Sequence, residues 1–287
     1  MPIWLTALFS AWDVRLDATA ILLTCVTIYG AGWWHLRSNG HVKLAQKRRI
    51  VFYFTGLFLI AIALMSPVDL LGGQLLFMHM VQHKLMIMFA APLLWLGRPF
   101  PIALWGLPMW VRKHVASFFV RDSAFRHALS AVTTPGIAWL TFVTIYLGWH
   151  DPNLYNAALR SPWVHDLEHV TFFGSAMLFW WHALNAAPHI HGRIPVWERI
   201  AMTVSIIPAN MIAGVTIATA NHVIYTYYET VPHVWGFTAL QDQAAGGMIM
   251  WVPGSEMIVW AVIFQLSMLT RHEKSKAQAT VRETLPV

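Results

Sequence analysis

The feature that most constrains this chain is a series of seven apolar stretches. They lie at about 18–36, 50–66, 75–96, 133–150, 163–184, 199–220 and 244–270, with most of the charge confined between them. A helix rises ~1.5 Å per residue, so ~20 residues cross the hydrocarbon of a bilayer. Lipid offers backbone polar groups no partner, so such a stretch must bond within itself as a helix. The sequence therefore predicts an all-α integral membrane protein, a seven-helix transmembrane bundle. Composition agrees: 57% of residues are hydrophobic and 11% charged, where a soluble domain carries roughly 25% charged residues. The expected organisation is a single membrane domain over residues 1–287, ending in a polar, disordered cytoplasmic tail at 271–287. Residues Met1 to Trp12 lack the basic start of a cleavable signal and read as an interfacial lead.

Lys and Arg set the orientation. With the N-terminus outside, sixteen of the nineteen fall in cytoplasmic segments, Arg15 and Arg160 fall outside, and Lys84 lies within a span. The C-terminus is then cytoplasmic. The net charge of +6 belongs to these loops, and no nucleic-acid partner is expected. Asp13, Asp17, Asp69, Asp151, Asp166, Glu168, Glu229 and Asp242 gather on the outer side, giving a face that attracts cations. Between spans three and four, Met109–Leu129 mixes aromatic and basic residues and is expected to lie as an amphipathic helix on the inner surface.

Two His-x-x-x-His pairs carry the chemistry. His79 and His83 open span three, and His165 and His169 open span five. Residues four apart share a helix face, so each pair presents two imidazoles to one ion at the outer end. A second tier at the same depth comprises His150, Asp242, Met248 and Met250. The single cysteine, Cys25, lies in an apolar run, which removes disulfides and thiolate metal motifs. Imidazole with thioether suits copper, with zinc and iron as alternatives. Asp166 and Glu168 read equally as orienters of the histidines and as interfacial acids. Deeper in the bundle, Glu256 and Asn210 are expected to hydrogen bond to each other, with a relay carboxylate as the other reading of Glu256. His182, His189 and His191 read as a solvated inner loop.

The run Met80-Val81-Gln82-His83-Lys84-Leu85 continues through Ala91-Pro92 to Leu96-Gly97-Arg98-Pro99. His165 to His169 is followed by Phe172, Phe173, Gly174, Trp180 and Trp181. A third block holds Asp242-Gln243, Gly246-Gly247 and Met250 to Gly254, and Trp12-Asp13 precedes span one. Together, over residues 12 to 270, these resemble the CtaG family of multi-span cytochrome c oxidase assembly factors. Lys84 and His182 depart from the family pattern, and Lys84 is expected to repel a cation or to snorkel outward.

The resemblance implies a non-enzymatic factor of the bacterial inner membrane that matures haem–copper oxidase. Copper would be held between spans three and five by exposed, exchangeable ligands. Its partners would be oxidase subunits, the lipid bilayer and a periplasmic copper donor. The alternatives are a haem- or di-iron-binding membrane oxidoreductase and a metal-free assembly scaffold.

Overall fold

The computed structural model describes residues 12–284 apart from Arg121, Arg193 and His233, so the N-terminal lead and one loop histidine lie outside the described residues. Among the described residues there are helices and turns and no strand. In chain order the α-helices are α1 Leu16–Ser38, α2 Lys47–Met65, α3 Pro67–Gly72, α4 Leu76–Lys84, α5 Ala91–Leu96, α6 Pro99–Gly106, α7 Met109–Phe118 and α8 Ala124–Val132. They continue with α9 Pro135–Trp149, α10 Pro152–Arg160, α11 Pro162–Ala183, α12 Val196–Val204, α13 Ile207–Thr219 and α14 Ala239–Thr284.

Proline decides where many of them begin. Pro67, Pro135, Pro152 and Pro162 sit at the first helical position, where a missing N–H costs nothing. Ser66, Thr134 and Asp151 accept hydrogen bonds from the free N–H groups of the first turns that follow them. Between α4 and α5, Leu85–Ala90 widens into a π-helical turn. Pro92 has no N–H to give the Met88 carbonyl, so the ladder loosens just ahead of it.

Among the described residues, four helical segments are long and apolar enough to cross a membrane: α1, α2, Val196–Thr219 and Ala239–Ser267. Two bent pairs raise the number to six: Leu76–Leu96 with α6, bent by 62°, and α8 with α9, bent by 54°. The expected seventh, α11, has the length, at 22 residues. Its opening turns carry His165, Asp166, Glu168 and His169, which lower its apolarity below the others.

Two further expectations change. The Met109–Leu129 segment is not one helix: α7 ends at Phe118, and α8 starts anew, with Ser123 capping the Arg126 N–H. The tail is not irregular, since α14 runs on to Thr284. Glu273, Lys274, Lys276, Ala277, Ala279 and Arg282 are good helix formers and carry the last span beyond its apolar part.

The interior divides in two. A larger core gathers Phe142, Tyr146, Phe172, Phe179 and Trp180 with residues of α4, α13 and α14. A smaller one packs Tyr29, Tyr53, Leu94 and Ile102 from α1, α2, α5 and α6. In the smaller core, a side chain at Gly106 would collide with the Ile28 carbonyl, and one at Gly32 with the Ile102 carbonyl. These two glycines let α1 and α6 touch backbone to backbone, the close packing that helices in lipid depend on. Outward faces carry Trp34, Phe58, Ile212 and Trp260, all well exposed, as a lipid-facing surface requires.

Candidate metal centre

The two His-x-x-x-His pairs meet. The ring centroids of His79 and His165 are 5.2 Å apart, and those of His83 and His169 5.3 Å. Within the first pair, His79 Nε2 and His83 Nε2 face each other at 2.9 Å. Helix α4 supplies one pair and α11 the other. The π turn and α5 that continue α4 are bonded to α11, and other elements tie down the ends of both helices. The indole N–H of Trp180 donates to the Ile87 carbonyl at 2.8 Å, and that of Trp95 to the Met177 carbonyl at 2.8 Å. At the start of α4, Asp242 accepts from the Leu76 and Phe77 N–H groups at 2.6 and 3.0 Å. Arg15 bridges to Asp166 at 2.6 Å, tying the start of α1 to the first turn of α11. Hydrogen bonds to Asp17 first, and then to Asp166, push the Arg15 pKa up.

Between the pairs lies a residue that spacing alone left ambiguous. Glu168 is fully buried, and both its oxygens lack a hydrogen-bond partner. Its oxygens stand 3.7 Å from His79 Nε2 and 3.7 Å from His83 Nε2. In sequence Glu168 looked like one of several acids at a helix start. Its one usable signal was that it immediately precedes His169, within a turn of His165 and on the face that turns inward.

Among the described residues two donor sets emerge, each with its ligand atoms within 4.8 Å of one another: His79, His83 and His169; and His79, His165 and Glu168. A tetrahedral ion with bonds of ~2.0–2.1 Å holds its donor atoms about 3.3 Å apart. The observed 2.9 and 3.7 Å separations bracket that distance. Several atoms here have no protein partner: His83 Nδ1, His165 Nε2 and both ring nitrogens of His169. Buried polar atoms are rarely left so, because each costs about 1–3 kcal/mol. A group of this kind fits a cation, whose binding would satisfy carboxylate and imidazoles together.

The site differs from the exposed one expected at helix ends. His79, His83 and His169 are at most 5% exposed, and His165 alone is partly open. A cavity of about 470 Å³ reaches His169 between α1, α2 and α11; its walls include Leu22, Ile60, Phe173 and Met177, with Arg15 and Asp166 as polar lining.

The second tier separates. His150 and Met250 line a small void beside His83. Asp242 does not join the cluster, because its oxygens cap α4. Met248 is 51% exposed and points away. The expected Glu256–Asn210 bond is absent, since Glu256 is exposed. Asn210 instead accepts from Lys84 Nζ at 3.1 Å and the Tyr146 hydroxyl at 2.8 Å, and donates to the Met250 carbonyl at 3.0 Å. Lys84 therefore does not snorkel outward; it is buried, and a side chain at Gly254 would displace its amine. His182 and His191 are not solvated loop residues, since each places a ring nitrogen on Thr133, at 2.7 and 3.1 Å.

The comparisons with known proteins bear on most of the chain. Uncharacterised proteins of Mycobacterium bovis and Mycobacterium tuberculosis are each 24% identical to it over 301 residues, covering 96% of this chain. The chain spans 45% of the length of these relatives. No solved structure matches it. Residues 27–272 match the model of the cytochrome c oxidase caa3 assembly factors, so α4, α11 and the whole histidine cluster fall inside the match. The chain belongs to the family of cytochrome c oxidase caa3 assembly factors.

Proposed function

We propose that this protein takes part in oxidase maturation by carrying copper as cargo, held by His79, His83, His165 and His169 around Glu168. The observation that supports this most is the convergence of two helices' histidine pairs on a buried carboxylate with unengaged oxygens. In this account α11 is the seventh span, the N-terminus faces outward, and the cluster opens toward the outer side of a bacterial inner membrane. The protein makes and breaks no covalent bond in its cargo.

Each residue has a part in this role. Glu168 offsets the charge of the ion inside a low-dielectric bundle. His79 belongs to both donor sets, so an ion can pass from one to the other without losing all its ligands. His165, the partly open ligand, is where a periplasmic donor and the receiving oxidase subunit exchange metal. The residues are neutral imidazoles when they bind, so proton and metal compete for them and affinity falls as pH falls.

The test is an oxidase-bearing host whose copy of this protein carries His83→Ala and His169→Ala. The expected outcome is oxidase that assembles with haem but is deficient in copper, rescued in part by added copper. Full copper content in the oxidase would reject the cargo role. Loss of the oxidase polypeptides at every copper level would favour a metal-free scaffold.

A further inference from the structure

Next to the histidine cluster, one turn deeper, lies a void of about 10 Å³, room for a single water or ion. Met80, His83, Lys84, Tyr146, His150 and Met250 are among its lining. Met80 and Met250 are 2% and 1% exposed, so both side chains are packed inside the bundle. His150 is set in one tautomer: its Nδ1 bonds the Tyr146 carbonyl, which can only accept, so Nδ1 carries the proton. Its Nε2 is then a lone-pair donor, and that atom is buried with no partner. A ring fixed through Nδ1–H to a backbone carbonyl, with Nε2 free, is the usual state of a metal-binding histidine. His83 belongs to both places, with Nε2 facing His79 and Nδ1 without a partner.

We propose that Met80, His83, His150 and Met250 form a second, softer subsite for a monovalent soft cation, copper(I) in this protein. It rests on the copper reading of the histidine cluster. The two sites differ in donor chemistry. The cluster pairs imidazole with a carboxylate, which suits divalent and monovalent ions alike. The inner subsite pairs imidazole with thioether, which selects copper(I). Lys84 is also among the lining, its amine held by Asn210 at 3.1 Å. His83, shared by both sites, is the step between them.

The experiment titrates the purified full-length protein with copper(I) under anaerobic conditions against a chromophoric chelator, and examines the loaded protein by copper X-ray absorption. The expected result is two copper(I) ions per chain with sulfur among the scatterers. Met250→Leu and Met80→Leu conserve volume and fold; each should remove one ion and the sulfur signal, while His169→Ala leaves the sulfur-bound ion. One copper per chain with only nitrogen and oxygen scatterers, unchanged by Met250→Leu, would overturn the subsite and leave the cluster standing. No copper bound by the unaltered protein would overturn both.

Discussion

Two polar regions lie in the larger core of this bundle, and they handle burial in opposite ways. Around Asn210, every partner is protein: Lys84 and Tyr146 donate to its carbonyl oxygen, and its amide donates to Met250 on α14. Around Glu168, the atoms wait: two carboxylate oxygens and the ring nitrogens of His169 have no hydrogen-bond partner. Buried polar groups that satisfy one another fix a packing arrangement. Those left open by an otherwise well-packed core are stable only if something else completes them, or if function maintains the strain. The first region is a structural joint between α4, α9, α13 and α14. The second has the character of a binding site.

That contrast can be broken by substitution. Asn210→Leu should cost about 3 kcal/mol, because it strands the Lys84 amine and the Tyr146 hydroxyl in the core. Thermal unfolding in detergent would show it, and an unchanged midpoint would mean the joint contributes little. Glu168→Gln should act on binding instead. Glu168 makes no hydrogen bond to lose, so the metal-free protein should keep its stability to within about 1 kcal/mol, while copper affinity drops by about tenfold. A destabilised Glu168→Gln protein with intact copper affinity would move Glu168 to the structural side of the comparison. Trp180→Phe loses the bond to the Ile87 carbonyl and leaves a cavity where the larger ring packs, so it should cost about 2 kcal/mol, with copper binding weakened only through α11 slipping on the π turn that continues α4. Arg15→Ala breaks a partly exposed pair with Asp166 and should change stability by about 0.5 kcal/mol or less; added salt should lower the stability of the unaltered protein by a similar amount.

Much of the fold was legible because lipid imposes length and periodicity directly. The runs at 18–36, 50–66 and 199–220 correspond to helices within a few residues. The π turn after Lys84 and the 54° bend before Pro135 were not readable, since they depend on how proline leaves a carbonyl to be satisfied by neighbours. Spacing identified the four histidines, because an i,i+4 pair shows its face. Glu168 is ambiguous in sequence because a second acid, Asp166, stands two residues before it, and only tertiary packing separates the two, Asp166 reaching out to Arg15. The outer depth of Asp242 and Met248 is legible, while the rotation that turns Asp242 onto the start of α4 and Met248 outward is not. Asn210 is legible as a buried polar residue but its partner is not, because Lys84 lies 126 residues away in sequence.

The most direct test of the central claim is the metal content of the purified full-length protein, measured beside that of the His83→Ala, His169→Ala double variant. The account predicts copper in the unaltered protein, lost from the double variant by more than about a thousandfold in affinity, some 4 kcal/mol, with unfolding of the metal-free forms little changed. Copper retained undiminished by the double variant, or a haem absorption band in place of copper, would contradict it.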